Sequence, residues 1–389
     1  MPAVVNDLTA VARAFEQMPV LLAIRDRFAE TRPLSGARVA VVFHLTRQAA
    51  CLALALEAGG AQVRFIPSKA VTVESQVSEE LGAAGIEVSR VGSEAERAEA
   101  LRGVQAFAPH LMVDNADLFT LWHGLADPPP PPLCASVHSR GACDVVEAHW
   151  ERHRELLFPV IAVGSAPIKL ELESTHGTGQ SVVTALILAT GLQLGGKNVV
   201  VVGYGNVGSG VARFARGLNA RVCVVQNSAF RALKAVMDGY EVLPLSEALP
   251  RADVVITATG ARGVLTEEHF PLLRDGVYIG NVGRSQEIDV AALSSVADSA
   301  LRLDDNLTEY GVGGKRIVLM GGGHQFNHMA GCANSSEMMD LSLSLHALGL
   351  EYVWCQRPKL TASIHDVPTA VAESVSLAKL NQLGIKIVS

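Results

Sequence analysis

Along the first third of the chain, short apolar runs alternate with stretches of helical periodicity. ARVAVVFHL (37–45) has the unbroken β-branched character of a buried strand and ends near His44. QAACLALALEAGG (48–60) reads as a helix stopped by two glycines, and AQVRFIPS as the next strand. HLMVDNADLF (110–119) predicts a further strand whose end carries Asp114 and Asp117. Five prolines, 128–132, then interrupt the pattern as a surface loop or stiff connector. VVTALILATGLQ (182–193) predicts a helix. After it RVCVVQN, YEVLPL, ADVVITATG and DGVYIGNVG recur as strands, with helical segments between several of them. That rhythm predicts an α/β fold with a doubly wound, Rossmann-type parallel sheet running to about residue 334. DLSLSLHALGLEYVW (340–354) predicts a helix that leads back to the first part of the chain. The organisation expected is a substrate domain over 1–178, a cofactor domain over 179–335 inserted into it, and a returning segment over 336–389. The active site is expected in the cleft between the domains.

Composition narrows the class. The 389 residues are 49% hydrophobic and include 35 glycines, enough for two cores. A net charge of -7 without a basic run argues against a nucleic-acid partner. The six cysteines form no CxxC pair, which reads as reduced thiols rather than a disulfide frame or metal site. The N-terminal MPAVVNDLTAVARAFEQM lacks the pattern of a secretory signal, and no apolar run reaches the length of a membrane span. The expectation is a soluble, cytoplasmic enzyme.

The most informative motif is GYGNVG, formed by Gly203, Gly205 and Gly208 after NVVVV and before a helical segment. In this context the first glycine permits the turn, the second admits a pyrophosphate and the third lets helix and strand pack closely. Asn206 and Val207 lie within it. The second strand of such a fold usually ends in an acid that holds the ribose diol. Here Gln226 stands there, with Asn227 next and Arg231 five residues on, which favours NAD moderately over its 2′-phosphorylated form. A second motif, PIKLELESTHGTGQSV (167–182), places the single Lys169 ahead of Glu171, Glu173 and Ser174. A lysine beside a carboxylate is ordinarily a surface ion pair.

VVGYGNVGSGVARFARGLNARV, ALKAVMDGYEV, ITATG, GNVG with EIDV, and MAGCAN resemble the cofactor domain of S-adenosylhomocysteine hydrolases. FHLT and VDNADL extend the likeness, more loosely, into the first domain. The resemblance implies a tightly held NAD and transient oxidation of the nucleoside's 3′-hydroxyl. It also implies removal of the acidified 4′ proton, loss of the 5′ substituent, addition of water and re-reduction. It implies that Lys169 takes the hydroxyl proton, with Glu173 and Ser174 where the family has aspartate and asparagine. It implies that His44 serves near the leaving group and Asp114 at the 4′ proton. Thr46 and Gln48 fall where the family contacts adenine, Gln48 replacing a glutamate. Substrate contacts are also expected from His138, Ser139, His324, Asn334 and Ser335 (or Ser336). Further cofactor contacts are expected from Thr259, Gly260, Asn281, Val282, Gly283 and Asn327.

The departures cluster. The family's SEETTTG becomes SVHSRGACD, so His138, Ser139 and Arg140 replace acids and threonines. A family histidine becomes Arg284, and no counterpart of the family's lysine- and tyrosine-bearing tail is expected after KIVS. Missing polar partners disfavour the original substrate, because its desolvated groups go unpaired. The sequence therefore points to an NAD-dependent, redox-neutral lyase or dehydratase on an adenine-type nucleoside, which expels water. The alternatives are a divergent S-adenosylhomocysteine hydrolase and a non-catalytic dinucleotide-binding relative. A homodimer or homotetramer is expected from the resemblance.

Overall fold

The computed structural model describes residues 9–68, 75–283, 285–329, 333–357 and 359–387. Arg284, Cys332 and the first eight residues, on which some of the readings above fall, lie outside them. The chain divides into two compact units, Met1–Leu170 with Ser336–Ser389, and Glu171–Ser335.

In the first unit the strands are β1 (Arg38–Phe43), β2 (Gln62–Pro67), β3 (Glu87–Val88), β4 (Leu111–Asp114), β5 (Cys134–Val137) and β6 (Val160–Ala162). A short strand, Ile364–His365, pairs in parallel with β6. The order is Ile364–His365, β6, β5, β4, β1, β2, β3, parallel throughout. The chain leaves β1 outward to β2 and β3, then returns to β4 on the other side. Ligand crevices form outside the carboxyl ends of strands at such a reversal. β1 and β4 are buried almost throughout, as strands covered on both faces must be.

Both ends of the chain build one layer of this unit. The helix Pro19–Thr31 packs with Ser336–Gln356 and Thr369–Gln382, and Leu21, Phe28, Leu343, Leu350 and Val375 share one core. The fully buried carboxylate of Asp340 accepts from Val20 N and Leu21 N, at 3.2 and 2.8 Å, capping Pro19–Thr31 from the far end of the sequence. Lys379 Nζ lies 3.4 Å from the same carboxylate.

The second unit continues with β7 (Asn198–Val202), β8 (Arg221–Val225), β9 (Glu241–Val242), β10 (Val254–Thr257), β11 (Val277–Asn281), β12 (Ser299–Arg302), β13 (Leu307–Val312) and β14 (Lys315–Gln325). From β9 the order is β9-β8-β7-β10-β11-β14, all parallel, the doubly wound dinucleotide order. The sheet is not parallel to its end: β13 and β12 add an antiparallel edge beyond β14.

Two local expectations change. The strand of 110–119 stops at Asp114, and Asp117 instead opens the helix Asp117–His123. The helix expected from 182 begins at Gly179 and ends at Thr190, where left-handed Gly191 caps it. Before it runs a π-helix, Ile168–Thr178, which contains Lys169 and Glu173. Wider turns of this kind are rare and concentrate at functional sites. A Cβ on Gly210 would stand 2.0 Å from Thr175 O, and one on Gly179 2.6 Å from Gly210 C, so bare backbones make this crossing.

Candidate active site

In the first unit, three candidate residues sit at the carboxyl edge of neighbouring strands. His44 follows β1, Asp114 ends β4 and His138 follows β5. His44 is half-buried, with Nδ1 3.3 Å from Ser68 Oγ. Lys169 is 7% exposed, and its Nζ lies 2.9 Å from His138 Nε2. His138 in turn places Nδ1 3.1 Å from His346 Nε2, and His346 Nδ1 lies 2.7 Å from Ser136 Oγ. His346 and Ser136 are fully buried. Burial, followed by the charge of Lys169, holds His138 well below the usual imidazole range. The same two causes push His346 down to about 3. Both rings are therefore neutral near neutral pH, one of them beside the lysine amine.

Asp114 was expected to face the reacting C–H. The structure turns both of its oxygens to backbone. Oδ1 accepts from Asp117 N and Leu118 N at 3.1 and 3.2 Å, and Oδ2 from Phe119 N at 2.9 Å. Asp114 thus caps the helix Asp117–His123. Burial and then the nearby Asp117 charge raise its carboxyl to about 7, against the three backbone donors. Beside it, Asn115 Oδ1 is buried with no partner among the described residues.

Several other expected substrate contacts carry structural duties. Thr46 caps Arg47–Ala58 by accepting from Ala49 N, and Ser139 caps Arg140–His153 by accepting from Ala142 N. Gln48 Nε2 donates to Ser336 Oγ at 3.1 Å, so these two side chains are a pair, whereas Ser335 is exposed. Arg140 is tied to Asp144, Glu147 and Ser165.

In the second unit, Glu173 is fully buried and accepts from Asn334 Nδ2 at 3.0 Å. Asn334 Oδ1 accepts from Thr178 Oγ1. Ser174 is half-buried, and His324 is exposed on β14.

The cofactor candidates line the carboxyl edge of the second sheet. Gly203 has φ 100°, and a Cβ there would meet Ala258 O at 2.6 Å. A Cβ on Gly208 would come within 2.0 Å of Gly203 O. On Gly205 it would meet only the Arg231 guanidinium, at 4.0 Å, so the approach to this backbone is open. Gly205 is the N-cap of Asn206–Gly217, whose first amides, those of Asn206, Val207 and Gly208 among them, make a positive end there. Gln226 Oε1 accepts from Ser228 N, which shapes the turn after β8 beside exposed Asn227. The Asn281 amide is spent inside the protein: it donates to Gly283 O, Ser285 O and Gly323 O and accepts from Gly283 N. Val282 is buried in the core of the unit.

One buried acceptor lacks a partner in this region. Asn327 is 1% exposed and donates to Ser181 Oγ at 3.0 Å, but its Oδ1 has none among the described residues. An acceptor so placed suits an amide donor such as a carboxamide. With the glycine cradle and helix terminus, the residues fit a nicotinamide dinucleotide.

Sequence reasoning missed Glu287, although EIDV was noted. Its buried carboxylate accepts from Thr259 N, Thr259 Oγ1 and Gly260 N, holding the loop after β10. A Cβ on Gly283 would stand 1.7 Å from Glu287 Oε1, which accounts for that glycine. It also missed His346 and Ser136. The available signal was a histidine in the run DLSLSLHALGL, where leucines alternate with small polar residues in a helix that is buried nearly all round.

Among the described residues no group of histidine, cysteine and carboxylate side chains could hold a metal, and no helix is long and apolar enough to cross a membrane. The five described cysteines are free.

Comparison with known proteins agrees with both halves. Residues 8–115 match the model of S-adenosyl-L-homocysteine hydrolase, and 174–335 match that of its NAD-binding domain. An adenosylhomocysteinase of Sulfurisphaera tokodaii is 36% identical over 375 residues, 95% of this chain and 90% of the relative. An S-inosyl-L-homocysteine hydrolase of Methanopyrus kandleri is 37% identical over 386 residues, 96% of this chain and 90% of the relative. The crystal structure of a dipicolinate synthase component from Bacillus halodurans has a TM-score of 0.52 at 14% identity. It covers 83% of this chain and 99% of its own, and shares the fold alone. The chain belongs to the S-adenosyl-L-homocysteine hydrolase family, and NAD is its cofactor.

Proposed function

We propose that this enzyme cleaves the thioether of an S-nucleosyl-L-homocysteine, releasing homocysteine and the nucleoside, through a redox cycle on the sugar with no net oxidation. The observation that carries the reading is the buried Lys169 amine, held by a neutral imidazole at the strand edge that carries His44. When bound, NAD would supply the hydride acceptor for the sugar carbon and the donor for the closing reduction. Lys169 Nζ takes the proton of the sugar hydroxyl as oxidation proceeds and gives it back on reduction. The ketone acidifies the neighbouring C–H. Its loss expels the thiolate, which His44 protonates before activating the water that adds in its place. Asp114 fixes the turn after β4 through its helix cap, which leaves one lone pair of Oδ2 unused.

This replaces the dehydratase as the leading reading, because relatives matched over 90% of their length at 36% and 37% identity are named as hydrolases of this type. Expulsion of water from an adenine nucleoside remains the second reading. Its support is the strand end where the family has acids and this chain has His138, Ser139 and Arg140. None offers a carboxylate, and Arg140 is bound by acids of its own helix. One experiment separates them. The enzyme is incubated with NAD in heavy water, together with S-adenosylhomocysteine, S-inosylhomocysteine or adenosine. Homocysteine release with deuterium in the nucleoside supports the thioether reading. An alkene product without homocysteine supports the second, and no deuterium in any nucleoside defeats both.

A further inference from the structure

We propose that the dinucleotide site accepts a 2′-phosphate as well as a free ribose diol, so that NADP binds in place of NAD, with Arg231 and Gln226 as the residues that admit it. The inference goes beyond the reaction proposed above and does not depend on it.

The end of β8 lies directly beside the glycine turn, because Gly203 N donates to Val225 O at 2.8 Å. In a sheet of this order the residue after that strand meets the adenosine ribose of the dinucleotide. An acid there accepts from the 2′-hydroxyl and repels a phosphate in its place. This chain has Gln226, and a hydrogen bond orients its amide. Ser228 N–H needs an acceptor, and Gln226 Oε1 supplies it at 2.9 Å. The amide is left with Nε2, a donor, to offer to a ligand. A phosphate presents acceptor oxygens, so a donor suits it where a carboxylate would not. The next acids along the chain do not stand in for the missing one. Asp238, beyond the far end of the helix Ala229–Met237, accepts from Tyr204 Oη at 2.8 Å and Lys234 Nζ at 3.1 Å. Glu241 lies 3.6 Å from Arg251.

Arg231 supplies the charge. It stands in the first turn of Ala229–Met237, and its N–H faces Ser228 Oγ at 3.5 Å, so it belongs to the same turn as Gln226. Among the described residues its guanidinium makes no hydrogen bond or ion pair. By contrast Arg216 is spent on Asp238 O and the Tyr240 ring, Arg274 on Asp253 and Arg316 on Asp275. The exposed Arg231 side chain reaches back over the glycine turn instead, with Nη1 4.0 Å from where a Cβ on Gly205 would stand. A guanidinium and an amide donor at one turn, with no carboxylate, suit a phosphate dianion better than a diol.

The test is calorimetric titration of the full-length, NAD-stripped enzyme with NAD and with NADP, supported by displacement of NAD from the loaded enzyme by NADP. Wild-type enzyme is expected to bind NADP within about tenfold of NAD, and a wider gap in favour of NAD overturns the inference. Arg231→Ala is expected to weaken NADP by roughly tenfold or more and NAD by less than about threefold. Gln226→Glu restores the acid and is expected to weaken NADP by roughly a hundredfold while NAD holds or tightens. If Arg231→Ala weakens both cofactors equally, the guanidinium serves the pyrophosphate they share and the inference is overturned. It is also overturned if Arg231→Ala leaves NADP unaffected. Each result is a binding constant, so it stands whether or not the enzyme releases homocysteine.

Discussion

Replacing Glu287 by glutamine and by leucine tests how the cofactor loop is held. The carboxylate is fully buried, whereas Thr259 and Gly260, whose donors it receives, are exposed. Glutamine has one orientation that costs least, although its NH₂ then faces the Thr259 N–H across the 2.9 Å that separates it from Oε2. Its oxygen keeps Gly260 N and Thr259 N, and its NH₂ meets Thr259 Oγ1, whose hydroxyl must turn to accept. That hydroxyl already accepts from Ala261 N at 3.0 Å. Converting charge-assisted bonds to neutral ones and turning the hydroxyl cost about 1–3 kcal/mol. If that cost falls on cofactor binding, NAD binds roughly 5- to 150-fold more weakly. Leucine removes every acceptor. The stranded amides then turn to water, the loop lifts, and most of the loss appears in NAD affinity rather than in the melting of the rest of the unit. Calorimetric titration of NAD-stripped protein and thermal unfolding with and without NAD separate the two effects. Unchanged NAD affinity in Glu287→Leu, or equal losses in both variants, would refute the reasoning.

Other expectations follow from the same geometry. Asp114→Asn keeps one acceptor for the helix Asp117–His123 and is expected to cost about 1–2 kcal/mol in urea unfolding while deuterium exchange into nucleoside persists; loss of exchange at unchanged stability would instead make Asp114 the base. Gly208→Ala drives a Cβ to 2.0 Å from Gly203 O, and is expected to cost about 3 kcal/mol with loss of NAD binding, read by calorimetry. Asn327→Leu should weaken NAD binding by roughly tenfold for one buried hydrogen bond, and retained affinity would mean that Oδ1 has another role. Acid titration is informative because His346 stays neutral to about pH 3 in the folded protein. Between about 6.5 and 3 the unfolded chain binds more protons there, so stability falls with falling pH by about 1.4 kcal/mol per pH unit for this residue. His346→Gln should remove that slope, and an identical profile would show that the ring is not buried neutral.

Much of the cofactor unit was legible because its signals are local. A strand of valines, a spaced glycine triplet and a following helix lie within a few residues of one another. The family resemblance likewise brought out Lys169, which lies against His138. What stayed hidden was non-local. His346 meets Ser136 and His138 across more than two hundred residues of sequence, and no periodicity announces such a pair. Asp114 was visible as an acid at a strand end. Its bonds to the helix Asp117–His123 were not visible, because they depend on a turn two residues long. β12 and β13 escaped because their pairing is set by neighbouring strands, β12 being short and exposed and β13 half-buried without an apolar–polar alternation. The π-helix has the composition of an ordinary amphipathic segment, and only the bare crossing of Gly179 and Gly210 at Thr175 marks where the backbone departs.

The first unit's use of both chain ends has a consequence during synthesis. Glu171–Ser335 is one continuous stretch and can complete its sheet as soon as it leaves the ribosome. The first unit cannot. Pro19–Thr31 lacks its cap until Asp340 emerges, and His138 lacks its partner until His346 does. A nascent chain therefore acquires its nucleotide-binding half before its proton-handling half is whole. A chain cut short after residue 335 would retain the glycine cradle while lacking the support behind Lys169.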